Sequence, residues 1–168
     1  GAMGSAFAFP CLDNSHDINI VGTHLENNFI DELKKNNNLH PGLKVEIPQE
    51  VKIFKFEKFD ELLKSNVELI VLGVSSKGIE WVADQLSRLY KDNNIPKLLM
   101  LTKGLSIHNN QYELLVDKLK RLLLEKGIKK PNISAVGGPC LAAGLANKVH
   151  SSVVIANEDL QTAKMIAD

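Results

Sequence analysis

Apolar positions along this chain recur at two periods, and the two take turns. Ala6 to Leu12 is small and apolar and predicts a helix despite Pro10, followed by a turn at Asp13-Asn-Ser-His16. Ile18 to Val21 predicts a short strand ending at Gly22. Glu26 to Lys35 predicts a helix with Phe29, Ile30 and Leu33 on one side, and residues 36–42 a loop. Val51 to Phe54 alternates as a half-buried strand does, and Phe59 to Leu63 predicts a short helix. Val67 to Val74 is an apolar run rich in β-branched residues, the pattern of a strand covered on both faces. Ile79, Val82, Ala83, Leu86 and Leu89 return at helical spacing. Pro96 opens a strand over Lys97 to Leu101. Leu114, Leu115, Leu119, Leu122 and Leu123 then mark a long helix, with Gly127 as its C-terminal cap. A strand over Ile133 to Val136, a helix over Leu141 to Asn147, a strand over Ser152 to Ile155 and a helix from Asn157 to Asp168 complete the series.

Strands and helices that alternate in this way predict an α/β fold with a doubly wound, mainly parallel, Rossmann-like sheet. In such sheets ligands bind at the carboxyl ends of the strands. Two strands here stop at glycine-bearing turns, Leu101-Thr-Lys-Gly-Leu105 and Gly137-Gly-Pro-Cys-Leu-Ala142. The first carries a single ammonium, Lys103. The second offers backbone N–H groups around Gly138 and a helix start after Pro139. Together they suit an anionic small molecule beside a nucleotide. A nucleotide-binding sheet of this kind has a central first strand that feeds a glycine loop. Here the sequence opens inside such a loop and stops at a helix. The expectation is one dinucleotide-binding domain over residues 1–168, truncated at both ends, with its first strand missing.

Composition narrows the function classes. The 168 residues hold 20 basic and 20 acidic side chains, so no basic face for nucleic acid is expected. No apolar run has the length of a membrane span. Cys11 and Cys140 stand far apart and the five histidines are scattered, so no metal site is expected and a reducing cytoplasmic compartment is the default. The opening Gly-Ala-Met-Gly-Ser reads either as the remnant of an affinity tag or as the tail of a glycine loop.

The order and spacing of these motifs resemble the N-terminal domain of NAD(P)-dependent sn-glycerol-3-phosphate dehydrogenases. Gly1-Ala-Met-Gly-Ser-Ala6 is similar to the second half of that family's glycine loop, which favours native sequence over a tag remnant. Asn14-Ser-His16 and Gly22 resemble its next turn and strand end. Leu39-His-Pro-Gly42, Ile47-Pro48 and Val74-Ser-Ser76 follow in register. Thr102-Lys-Gly-Leu105 resembles its Thr-Lys-Gly signature, and Gly137-Gly-Pro-Cys-Leu-Ala142 its Ser-Gly-Pro-x-Phe-Ala signature. The resemblance covers about half of the family's architecture. It leaves out the helical C-terminal domain, which supplies a second, proton-transferring lysine.

The resemblance implies interconversion of dihydroxyacetone phosphate and sn-glycerol 3-phosphate with NAD or NADP, in phospholipid biosynthesis. Lys103 is then the catalytic side chain, touching both cofactor and substrate. Gly1, Ala2, Met3, Gly4, Thr23 and Ala142 bind cofactor, and Gly138 and Cys140 bind the phosphorylated substrate. Cys140 is read as a small buried group rather than a nucleophile. The strand end Gly22-Thr-His24 holds neither the carboxylate that usually accepts ribose hydroxyls nor an arginine for a 2′-phosphate. Thr23 can bond a ribose, and NADH is favoured. Met3, Ser75 and Gly144 depart from the family pattern. They leave open a divergent paralogue acting on another anionic hydroxy compound, or a non-catalytic nucleotide-binding or redox-sensing module. Apolar surface left for a second domain suggests a homodimer. The chain by itself is expected to be inactive.

Overall fold

The computed structural model describes residues 1–91 and 94–168. In chain order its elements are α1 (Ala2–Asp13), β1 (Asn19–Val21), α2 (Asn27–Lys35), β2 (Leu39–His40), β3 (Val45–Glu46), β4 (Lys52–Phe54), α3 (Phe59–Lys64), β5 (Leu69–Leu72), α4 (Ile79–Tyr90), β6 (Lys97–Met100), β7 (Leu105–His108), β8 (Gln111–Leu114), α5 (Leu115–Glu125), β9 (Ile133–Gly137), α6 (Ala142–Ala146), β10 (Val154–Ala156) and α7 (Leu160–Ala167). They group into two compact units, one of Gly1–Asn66 with Pro139–Ser152, the other of Val67–Gly138 with Val153–Asp168.

The second unit is built on a four-stranded sheet in the order β10-β9-β6-β5. β5, β6 and β9 are parallel, whereas β10 runs antiparallel to β9. The alternating pattern predicts strand type but carries no information on direction, so the antiparallel edge was not foreseen. Leu98, Leu99 and Met100 of β6, which has a strand on each side, are at most 1% exposed, and Leu119 and Leu123 of α5 are both 0% exposed. Each such side chain contributes roughly 1.5–3 kcal/mol of burial free energy. β5 departs from the expected strand covered on both faces. It pairs with β6 alone among the described residues, and only Leu72 is buried.

α5 ends in a Schellman cap, with Gly127 N–H bonded to the Leu124 carbonyl and Ile128 N–H to that of Leu123. A polar network anchors α7. Asn157 Nδ2 donates to Asn132 Oδ1 and to the fully buried Ser134 Oγ, Asn132 Nδ2 donates to Thr162 Oγ1, and Asp159 caps the helix. β7 and β8 form a hairpin that the sequence reading did not assign. Its two turn residues, Asn109 and Asn110, both have positive φ (50° and 60°). Glu113 on its polar face pairs with Arg121 of α5 at 2.9 Å, while Leu105, Ile107, Tyr112 and Leu114 are exposed.

In the first unit β1 and β4 form a parallel pair. Ala8, Ile30, Leu33, Ile47, Val51 and Ile53 make one apolar cluster. Ala6, Phe9, Leu43 and Ala146 make another, where α6 packs on α1. α1 starts at Ala2, four residues earlier than the apolar pattern predicts, so the glycine-bearing segment is its first turn. The predicted loop at 36–42 contains β2, which pairs with β3. His40 is 4% exposed, and its Nδ1 accepts from the N–H groups of Gly42 (3.2 Å) and Leu43 (3.1 Å). Burial pushes its pKa below the usual value. Among the described residues no helix is long and apolar enough to cross a membrane, and no cluster of three His, Cys, Asp or Glu could hold a metal.

Candidate functional site

In the second unit Thr102, Lys103 and Gly138 lie just beyond the carboxyl ends of parallel strands. Thr102 and Lys103 directly follow β6. The Thr102 hydroxyl donates to the carbonyl of Val74 beyond β5, which ties two strand ends together. The Lys103 side chain is exposed, and its Nζ donates to the Gly138 carbonyl beyond β9 at 2.5 Å. Gly138 sits at φ 103°, where a residue with a Cβ costs roughly 1–2 kcal/mol. An ammonium has three donors, so this contact orients the side chain and leaves donors for an anion.

In the first unit Ala2, Met3 and Gly4 form the opening turn of α1 and Gly1 is its N-cap. The backbone N–H groups there have no partner within the helix and present a positive end to a phosphate. The Gly1 nitrogen bonds one oxygen of Glu26 at 2.9 Å, and the N–H of Thr23 bonds the other at 2.9 Å. Burial opposes ionisation of Glu26. The Thr23 N–H favours it. Thr23 is half-buried, whereas His24 is exposed and meets Phe56 edge-on at 6.0 Å. Cys140 is 7% exposed, and Ala142, the first residue of α6, packs on the cluster shared with α1.

The structure therefore joins Lys103 to Gly138, and joins Gly1 to Thr23 through Glu26. It places Cys140 just before, and Ala142 at the start of, a short helix in which Ala146 is the buried residue. Two residues escaped the sequence reading. Thr102 was visible within its motif, but only the fold shows which strand end it ties. Glu26 lies five positions beyond β1, past the strand end Gly22–His24.

Residues 1–163 match the NAD-dependent glycerol-3-phosphate dehydrogenase N-terminus. The chain belongs to this family. It is 28% identical over 168 residues to the NADP(+)-dependent glycerol-3-phosphate dehydrogenase of Archaeoglobus fulgidus, covering 100% of this chain and 48% of that protein. The solved glycerol-3-phosphate dehydrogenase of Coxiella burnetii resembles it with a TM-score of 0.77 at 18% identity, covering 99% of this chain and 47% of the other. For the enzyme of Saccharomyces cerevisiae the TM-score is 0.68 at 15% identity, over 94% and 44%. These structures support the Rossmann-like α/β fold. The chain spans about half the length of the curated relative it matches. Family membership makes NAD or NADP its cofactor.

Proposed function

We propose that these residues are the dinucleotide-binding part of an oxidoreductase that interconverts dihydroxyacetone phosphate and sn-glycerol 3-phosphate. The observation that carries this is the Lys103 amine held at the Gly138 turn by a 2.5 Å hydrogen bond, at the carboxyl ends of parallel strands. A tethered cation beside glycine-freed backbone matches a small phosphorylated ketone better than a neutral ligand.

The chain's residues fit a dinucleotide. The opening turn of α1 offers the N–H groups of Ala2, Met3 and Gly4 to phosphate, with Gly1 giving close approach. Thr23 bonds ribose, and Ala142 lies against the cofactor. Gly138 and Cys140 hold substrate through their backbone. The bound dinucleotide supplies the hydride. Lys103 orients the ketone and stabilises the negative charge that grows on its oxygen as the carbonyl is reduced, a kind of contact typically worth about 10²–10³ in rate. The proton for that oxygen comes from the lysine that the family's helical half supplies, so residues 1–168 by themselves bind without turnover. The product serves as the backbone of phospholipids, in the cytoplasm, and the protein is a homodimer.

The departure at Gly144, which faces Val149 and presents no carboxylate, favours a second reading, a paralogue acting on a different phosphorylated or carboxylated hydroxy compound. The test is steady-state reduction by NADH in the full-length gene product. Dihydroxyacetone phosphate is expected to exceed unphosphorylated dihydroxyacetone in kcat/KM by at least about 100-fold, as loss of a charge-assisted contact implies. Equal rates, or no turnover of either, would remove the assignment.

A further inference from the structure

We propose that Thr102 is the positioning residue for Lys103, its hydroxyl bracing the chain against the end of β5 while the amine reaches the Gly138 turn on the opposite side. This deepens the function proposed above and rests on the role given there to Lys103.

Packing holds β6 only as far as Leu101. Leu98 to Leu101 are at most 6% exposed, and the Leu101 N–H extends the β5–β6 ladder by donating to the Leu72 carbonyl at 3.1 Å. Beyond it the chain leaves the core. Thr102 is half-buried, and Lys103 and Gly104 are exposed. The next backbone tie is the Gly104 carbonyl, which accepts from the Leu115 N–H at 3.3 Å. Between these two ties, one bond holds the main chain to a neighbouring strand end, from the Thr102 hydroxyl to the Val74 carbonyl.

Sheet order turns that bond into a brace. β6 lies between β5 and β9. Thr102 reaches to the β5 side, and the Lys103 Nζ reaches to the β9 side, where it donates to the Gly138 carbonyl at 2.5 Å. Adjacent side chains are thus anchored in opposite directions across the sheet edge. The acceptor is fixed as well. A Cβ on Gly78 would lie 3.1 Å from Val74 Cβ, and the Gly78 N–H bonds the Ser75 carbonyl at 2.9 Å. The lack of a side chain at Gly78 lets the turn before α4 close on Val74. Valine in place of Thr102 would keep the β-branched shape and remove the donor. Lys103 would then lose its counter-anchor while keeping its charge.

The test is steady-state kinetics of the full-length gene product with dihydroxyacetone phosphate at saturating NADH. Thr102→Val is expected to lower kcat by about 10–100-fold with KM changed far less, the cost of a misplaced reacting group. Thr102→Ser keeps the donor and is expected to stay within about threefold of the wild-type kcat. Thr102→Ala carries the same expectation as the valine variant, should that one not fold. A double-variant cycle separates positioning from a merely structural role. In a Lys103→Met background, Thr102→Val is expected to cost less than about twofold, because the group it positions is gone. If Thr102→Val keeps the wild-type kcat, if Thr102→Ser loses as much as Thr102→Val, or if the loss is as large in the Lys103→Met background, the role of Thr102 is overturned alone. If Lys103→Met itself keeps the wild-type kcat, or the wild type does not turn over dihydroxyacetone phosphate, the function beneath it falls as well.

Discussion

The two units hold their functional groups by different means. Lys103 and Gly138 hang from β6 and β9, at the middle of a four-stranded sheet whose central side chains are almost wholly excluded from water. Gly1 and Thr23 belong to a helix start and to the end of a three-residue strand in a two-stranded pair, and an exchange of polar contacts through Glu26 joins them. Hydrophobic burial fixes the first group, and directional bonds to one carboxylate fix the second. The contrast teaches that the turns after β6 and β9 are placed by packing, whereas the end of β1 is placed by directional polar contacts. Changes in side-chain volume should disturb the first, and changes in protonation the second.

The largest expected effect is Leu99→Ala. Leu99 is 0% exposed in β6, so the truncation leaves a cavity and should cost about 2–5 kcal/mol of stability. Trp81, the sole tryptophan, lies on α4 in the same unit, and denaturant unfolding followed by its fluorescence would report the loss. An unshifted midpoint would contradict the view that packing holds this unit.

Much of that unit was legible in the sequence, because its core strands and helices carry dense apolar runs. Val67 to Val74, Lys97 to Leu101 and the leucines from Leu114 to Leu123 each match an observed element to within a few residues. Illegible features follow a different physical logic. The β7–β8 hairpin carries its apolar residues outward, so burial does not explain its pattern. Its one signal was the Asn109-Asn110 pair, which tolerates the positive φ of a tight turn. The β2–β3 hairpin has strands of two residues, too short for any period to register. Within the site, Lys103 and Gly138 could be read because each sits in a motif beside its strand. Glu26 could not, because its contact with the Thr23 N–H depends on the turn after β1.

A smaller effect tests the other unit. The neutral His40 ring accepts two backbone N–H groups on Nδ1, and its Nε2 is buried with no partner among the described residues. Protonation would abolish the acceptor and bury a charge. The folded pKa is depressed, so the unfolded chain binds the proton more readily. This contribution to stability is complete above the unfolded value of about 6.5 and is lost as pH falls through the lower folded value. Thermal melts should show the midpoint dropping over that window, and His40→Leu should flatten the decline. An identical slope in the variant would show that another group is responsible.

The central claim is that the Lys103 amine, held at the Gly138 turn, grips the reacting anion. The measurement that reaches it most directly is kcat/KM for dihydroxyacetone phosphate in the full-length gene product carrying Lys103→Met, with NADH binding measured in parallel. A fall of about 10²–10³ in kcat/KM with the thermal midpoint unchanged is the predicted result. A variant that is equally stable and retains wild-type kcat/KM would contradict it.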